Sequence, residues 1–243
     1  MTRSKVTETN LAQFSSALEK RWIGSLFRVE DARAVDARAK EYLHRLAKQG
    51  KVESIYWGWY YVPQDQKDIW DFLESDKGFK VLIKQTAASI WNGDFVHRNI
   101  YRLAVEDASY KKAFESYGRK MDWILEVEYH QRIPYEYTQR DGLNIETQES
   151  NLVSCMGEWA FLDALATLYF RRHEISFPKL RKLARWKRVS GTSTRVWNTI
   201  QYSCNLFNQK TGKRIFNVRS SKLRPSELPE LIEEAVDRVI EFA

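Results

Sequence analysis

The stretch from Asp36 to Pro63 constrains the fold more than any other part of the 243-residue chain. Ala39, Leu43, Leu46 and Ala47 recur at helical spacing, Asp36 stands where an N-cap belongs, and Gly50 stands where a helix ends in the left-handed region. Two β-rich runs follow, Lys51–Trp57 and Trp59–Val62, joined at Gly58 and closed by Pro63, which cannot donate to a strand ladder. Upstream, Leu11, Phe14, Ala17 and Leu18 predict a helix over Glu8–Arg21, and Gly24 and Ser25 break it. Leu26–Val29 then reads as a short strand and Glu30–Val35 as a short helix. Helix, strand, helix, helix, hairpin is the order of a winged helix-turn-helix.

Downstream the pattern is mixed. Gln66–Leu73 reads as a helix, Phe79–Lys84 and Ile100–Val105 as strands, and Asp107–Gly118 as a helix with its lysines outward. Trp123–Tyr129 alternates as a half-buried strand does, and Ile133–Thr138 is expected to pair with it. One buried helix is predicted over Cys155–Phe170 and another opening at Pro178; Val196, Ile200, Cys204 and Phe207 mark a third, and Leu228–Phe242 closes the chain. The expectation is an α+β protein of two domains, an N-terminal winged helix-turn-helix over 1–63 and a mixed α/β domain over 64–243, divided at Pro63–Asp65.

At this length about three-quarters of the extended chain's surface is buried on folding, so a core needs neither disulfides nor metals. The two cysteines, Cys155 and Cys204, are far apart, which argues against a secreted disulfide scaffold and for a reducing cytoplasm. No apolar run approaches the about 18–20 residues of a membrane span, and Met1-Thr2-Arg3-Ser4-Lys5 leads into no apolar core of a signal peptide. No membrane partner is expected.

Charge is distributed unevenly. The net +7 hides a segment, 171–224, with 15 basic residues against one acidic, while 64–170 carries 12 against 18 and 225–243 carries one against six. Like charges repel, so a run of this kind implies either an anionic partner or neutralisation by the acidic segments in the folded chain.

In a winged helix-turn-helix the third helix enters the major groove by its N-terminal residues. With Ala39, Leu43 and Leu46 inward, Arg38, Lys40, Glu41, His44, Arg45 and Lys48 face outward. Arg38 is the candidate for a bidentate contact to guanine, with Arg33 beside it, and Arg45 and Lys48 suit phosphates. The hairpin tip, with Tyr56, Trp57 and Trp59, is aromatic rather than basic; these rings either meet the sugar backbone, meet a protein partner, or complete the core. A second cationic surface is predicted from Arg181, Arg185 and Arg188, spaced to share one helix face, with Lys182 and Lys187 beside them and Arg195, Lys213, Arg214, Arg219 and Lys222 following. Arg at this spacing suits phosphates. The competing reading is that this stripe pairs with the acidic C-terminal helix carrying Glu230, Glu233, Glu234 and Asp237.

Enzyme signatures are sparse. His44, His97, His130 and His173 are dispersed, and no Cys-x-x-Cys, His-Glu-x-x-His, Gly-rich phosphate loop or Gly-x-Ser-x-Gly elbow is present. Asp122, Glu126 and Glu128 share one face of the alternating strand and form the alternative, a Mg²⁺ site for phosphodiester cleavage. Tyr129 and His130 follow where such a nuclease places a lysine, and Trp123, Leu125, Val127 and Tyr129 explain the alternation by packing alone. Glu158 and Asp163 read as structural hydrogen-bonding groups. The expectation is a non-enzymatic binder without cofactor.

The run from Tyr42 to Val52, followed by Gly58-Trp59-Tyr60-Tyr61-Val62-Pro63, resembles the N-terminal winged helix of the AbiEi-like antitoxins of abortive-infection, type IV toxin–antitoxin systems. Thr86–Gly93 before the strand Ile100–Val105, and Gly142–Glu146 before Glu158–Leu165, are similar to later segments of that family. The resemblance implies a DNA-binding autorepressor of its own operon, recognising an operator duplex. Its C-terminal domain would counter a co-encoded nucleotidyltransferase-like toxin without obligatory contact. The family's basic C-terminal surface corresponds in kind to Arg181, Arg185 and Arg188, and the aromatic hairpin is the departure.

Overall fold

The computed structural model describes residues 2–65, 68–76, 80–93, 100–219, 223 and 228–243. Gln66, Phe79, His97, Lys222 and Arg224, which figure in the sequence reading, lie outside the described residues. The protein is α+β, with helices and two sheets. Among the described residues no helix is long and apolar enough to cross a membrane.

Helix α1 (Thr2–Trp22) leads into β1 (Leu26–Arg28), α2 (Val29–Arg33), α3 (Ala39–Lys48), β2 (Glu53–Tyr56) and β3 (Trp59–Tyr61). The strands form an antiparallel sheet in the order β1-β3-β2, with Leu26 opposite Tyr61 and Arg28 opposite Trp59. Asp31 caps α2 by accepting the Arg28 backbone N–H at 2.9 Å and the Arg28 Nε at 3.2 Å. The cap expected of Asp36 on α3 is corrected: α3 begins at Ala39 with Arg38 as its N-cap, and the Asp36 carboxylate instead accepts the Arg38 N–H at 2.8 Å. Two residues of turn therefore separate Asp36 from the helix. At the other end Gly50 adopts φ +70°, the Gly50 N–H donates to Ala47 O at 3.1 Å and the Lys51 N–H to Leu46 O at 3.0 Å, the paired bonds of a left-handed helix stop.

The sheet is covered on both faces. On one, Phe27 and Val62 join Phe14, Leu18, Tyr42, Leu43 and Leu46 in a single core, with Trp22 stacked on Phe27 at 5.0 Å. On the other, Trp59 lies 5.8 Å from Tyr110, and Tyr61 lies 4.6 Å from Tyr117 and 6.4 Å from Phe72. Those rings come from α4 (Ile69–Ser75), capped by Asp68, and α6 (Ala108–Lys120), capped by Asp107. Compact unit one accordingly comprises Met1–Leu82, Leu103–Ile133 and Arg140–Leu143, and the expected division at Pro63–Asp65 falls inside it.

The second sheet has the order β6-β5-β4-β8-β7, from β4 (Val81–Ile83), β5 (Ile100–Val105), β6 (Ile124–Tyr129), β7 (Tyr137–Arg140) and β8 (Leu143–Glu146). The pairing expected between Ile133–Thr138 and the Trp123–Tyr129 strand is not formed. Asp141 and Gly142 both take positive φ (50° and 82°), a tight turn that pairs β7 with β8 instead.

Compact unit two comprises Ile83–Arg102, Pro134–Gln139 and Asn144–Ala243. It packs α5 (Ala87–Asn92), α7 (Gln148–Gly157), α8 (Phe161–Phe170), α9 (Phe177–Ala184), α10 (Val196–Thr211) and α11 (Leu228–Phe242) around one apolar core. The single helix predicted over Cys155–Phe170 is two helices. Trp159 takes φ +64° and the Ala160 N–H turns back to Cys155 O at 2.9 Å, ending α7 before α8 starts. Both cysteines are free and buried, and burial pushes the Cys204 thiol up from its ordinary range.

Phe72, fully buried, stacks on Phe114 at 5.2 Å and lies 5.0 Å from Tyr117. Phe72→Ala should cost about 3–5 kcal/mol, read as a lowered urea midpoint with unchanged slope. A loss below about 1 kcal/mol would show that this aromatic layer does not support the first unit.

Candidate nucleic-acid interface

Two cationic surfaces stand out, one in each unit. In the first, Ala39, Tyr42, Leu43 and Leu46 are buried on the inner side of α3, which leaves Arg38, Lys40, His44, Arg45 and Lys48 exposed, with Arg33 exposed on α2. The periodicity dictates this division: positions four apart share a helix face, so anchoring the apolar set orients the cationic set. Arg38 lies 4.8 Å from the Tyr42 ring centroid and 3.4 Å from Asp36; Arg45 lies 3.3 Å from Glu41. Both pairs are solvent-exposed and therefore weak, so either arginine exchanges its carboxylate for a phosphate at small cost. The Arg38 backbone N–H is the main reason the Asp36 carboxyl titrates below its ordinary range.

The hairpin aromatics divide. Trp59 and Tyr61 complete the core, whereas Trp57, beside Gly58 at φ +73°, stands 90% exposed at the tip. Tyr56 is half-buried.

In the second unit the expected three-arginine helix face is corrected. Arg181 and Lys182 sit on α9, which ends at Ala184 with Arg185 as its C-cap; Arg188 lies beyond the helix, in an antiparallel bridge with Arg195. The segment between them is a tight turn. The Val189 N–H donates to Thr194 O and the Val196 N–H to Lys187 O, each at 3.0 Å, while Val189 and Val196 are buried as anchors. The α7–α8 connection holds the turn from outside: the Ser190 N–H donates to Gly157 O at 2.7 Å and Trp159 Nε1 donates to Ser190 O at 2.9 Å. The turn thereby carries Arg195 back to the end of α9. Arg181, Lys182, Arg185 and Arg195, with Pro178, Trp186, Trp197 and Asn198, line a concavity of about 550 Å³. Arg188 is exposed beside it without lining it. Trp186 and Trp197 were missed by the sequence reading; the available signal was a tryptophan set inside the cationic run Arg185-Trp186-Lys187-Arg188.

Among the described residues no carboxylate pairs with Arg181, Lys182, Arg185, Arg188 or Arg195. Several acidic groups of this unit have other partners. Asp237 of α11 accepts from Lys210 at 2.6 Å and Glu233 from the Tyr202 hydroxyl at 2.9 Å, while Glu136 and Glu149 hold Lys179 at 3.0 and 3.1 Å. Neutralisation of the basic stripe by the C-terminal helix, weighed from the sequence, is thus not formed among the described residues.

Asp122, Glu126 and Glu128 are not gathered as the Mg²⁺ alternative requires. Asp122 precedes β6 at φ +56°, and Glu128 meets His130 at 2.9 Å. Among the described residues no group of three or more His, Cys, Asp or Glu side chains is arranged to hold a metal ion. Glu158 accepts from Gln85 Nε2 at 2.7 Å, a structural contact.

One buried carboxylate escaped the sequence reading. Glu146, at the end of β8, is fully buried and accepts from Ser154 Oγ at 2.8 Å, Ser150 Oγ at 3.1 Å and Asn151 Nδ2 at 3.4 Å, near the buried Lys84. Burial, outweighing those bonds and Lys84, pushes its carboxyl up to about 7. Comparison with known protein families and with curated proteins gives no match.

Glu146 also makes a pH prediction. An acid whose folded-state pKa lies above its ordinary value binds its proton more tightly folded than unfolded, so its contribution is fully present below about pH 4.5 and is lost as pH rises to about 7. Glu146→Gln should therefore gain stability on the wild type between about pH 5 and about pH 8, by up to about 3 kcal/mol. Urea midpoints at both pH values check this; parallel curves would mean that the carboxyl is not perturbed.

Proposed function

We propose that this protein is a non-enzymatic DNA-binding transcriptional regulator whose N-terminal part is a winged helix-turn-helix, with α3 as its recognition helix and β2–β3 as its wing. One observation carries the reading: on α3 the buried apolar positions leave an outer surface of Lys40, His44, Arg45 and Lys48, with Glu41 its one carboxylate. The element order and the β1-β3-β2 antiparallel pairing support it. Arg38, at the start of α3, suits a guanine edge, and Lys40, His44, Arg45 and Lys48 suit the flanking groove and phosphates. Its resemblance to AbiEi-like antitoxins extends the proposal to an autorepressor bound at the operator of a toxin–antitoxin operon.

Duplex binding measured by fluorescence anisotropy tests this. Neutralising about 6–8 phosphates gives a slope of log K against log[salt] near −5 to −7. Against a selected operator, Arg38→Ala should cost about 1–3 kcal/mol and relax preference at one base pair. Lys48→Ala should weaken every sequence alike and make the salt slope shallower by about one. A flat salt dependence, or variants indistinguishable from wild type, removes the reading.

A further inference from the structure

Duplex binding leaves one feature of the second unit without a role. Trp186 is 69% exposed at the mouth of the basic cleft, although an indole is among the side chains that gain most from burial. It is held in place there. The Arg185 guanidinium carbon lies 4.9 Å and that of Arg195 5.4 Å from its ring centroid, one reaching it from the end of α9 and the other from the far limb of the turn. The ring is thus oriented by cations and left open to solvent on most of its surface, with Arg181, Lys182 and the half-buried Trp197 around the same concavity.

Aromatic surface set among unpaired arginines meets the chemistry of an unpaired nucleotide. A base in a duplex has both faces stacked and offers only its edges, so it has nothing to lay on an indole. A base in a single strand offers a face, and the phosphates on either side of it need cations. An acidic peptide uses the cations and leaves the tryptophan idle. The cationic track also continues past the cleft. Residues 213–219 run antiparallel beside α10, with Asn208 Nδ2 donating to Phe216 O at 2.8 Å and Gln201 Nε2 and Asn205 Nδ2 both donating to Arg219 O at 3.3 Å. Exposed Lys213, Arg214 and Arg219 therefore lead along α10 toward its first turn, where Trp197 and Asn198 line the cleft. A track of this kind suits a strand of several nucleotides better than a mononucleotide.

We propose that the cleft is a single-stranded nucleic-acid site, in which an unpaired base stacks on Trp186 and the flanking phosphates engage Arg181, Lys182, Arg185 and Arg195. The inference rests on the nucleic-acid reading above but uses none of the α3 residues. It gives the second cationic surface, expected to suit phosphates, a single-stranded partner.

The test is fluorescence anisotropy of labelled oligo(dT), oligo(rU) and a mixed-sequence duplex with the full chain and its Trp186→Ala, Trp186→Phe and Arg195→Ala variants. The expected result is that Trp186→Ala weakens the single strands about tenfold and leaves the duplex unchanged, with Trp186→Phe restoring most of the loss. Arg195→Ala weakens the single strands and steepens their loss with salt less than wild type does. Comparing oligo(dT) with oligo(rU) tells whether DNA or RNA is favoured. Equal loss for duplex and single strand, no loss at Trp186→Ala, or displacement by free UMP or poly-glutamate as effective as by oligo(dT) overturns the proposal. Retained duplex binding with no single-strand binding sinks this inference and leaves the winged-helix reading standing; no binding to either sinks both. Because Trp186 is exposed, unchanged thermal unfolding of its variants separates lost binding from lost fold.

Discussion

Strand β3 belongs to two cores at once, and the first unit depends on that. Trp59 and Tyr61 face the rings of α4 and α6, while Val62, just after the strand, joins Phe27 and the inner face of α3. A strand covered on both sides has no polar face to show, which is why Trp59-Tyr60-Tyr61-Val62 lacks the alternation of a half-exposed strand. The same packing fixes α3. With Tyr42, Leu43 and Leu46 fully buried, the helix cannot rotate without exposing them, so its cationic side is presented in one orientation. Trp57 escapes burial because Gly58 reverses the chain there.

The cleft of the second unit is built by an equally local device with a long-range effect. Buried Val189 and Val196 anchor the two limbs of a turn, and Trp159 and Gly157 clamp its outer rim. Without the turn, Arg195 begins α10 with no relation to the end of α9. With it, two arginines ten residues apart share one indole. Trp159 serves two purposes: its left-handed backbone ends α7, and its side chain positions the turn.

Elements whose signals are local were legible in the sequence. Asp107 announces α6, Gly50 ends α3, and the apolar stripe of Leu228–Phe242 gives α11 with both ends in place. The cationic side of α3 was legible for the same reason, since periodicity alone divides its faces. What failed depended on atoms far away or on an atypical residue. The left-handed stop between α7 and α8 falls on Trp159 rather than on the neighbouring Gly157, where a reader of sequence would look for it. The Asp141-Gly142 hairpin was readable but lost to the more conspicuous alternation of Trp123–Tyr129. Arg188 keeps helical spacing from Arg181 and Arg185, yet α9 stops at Ala184, because Val189 must be buried in the turn and a continued helix would carry it elsewhere. The burial of Glu146 follows from α7 packing over β8, with Ser150, Asn151 and Ser154 supplied by the next helix.

The two cationic surfaces differ in their electrostatics. Arg185 and Arg195 lean on a common ring, close enough together that physiological salt screens their repulsion only in part. Such a cluster works against folding unless something compensates, and among the described residues no carboxylate pairs with it. Cation–π contact with Trp186 offsets part of that repulsion while keeping the ring in solvent. On α3 the balance differs: Arg38 and Arg45 have weak, solvent-exposed carboxylate partners in Asp36 and Glu41. One surface is thus lightly pre-paired on a helix, and the other is concave with no carboxylate paired to its arginines among the described residues; the proposed duplex and single-strand roles rest on that difference.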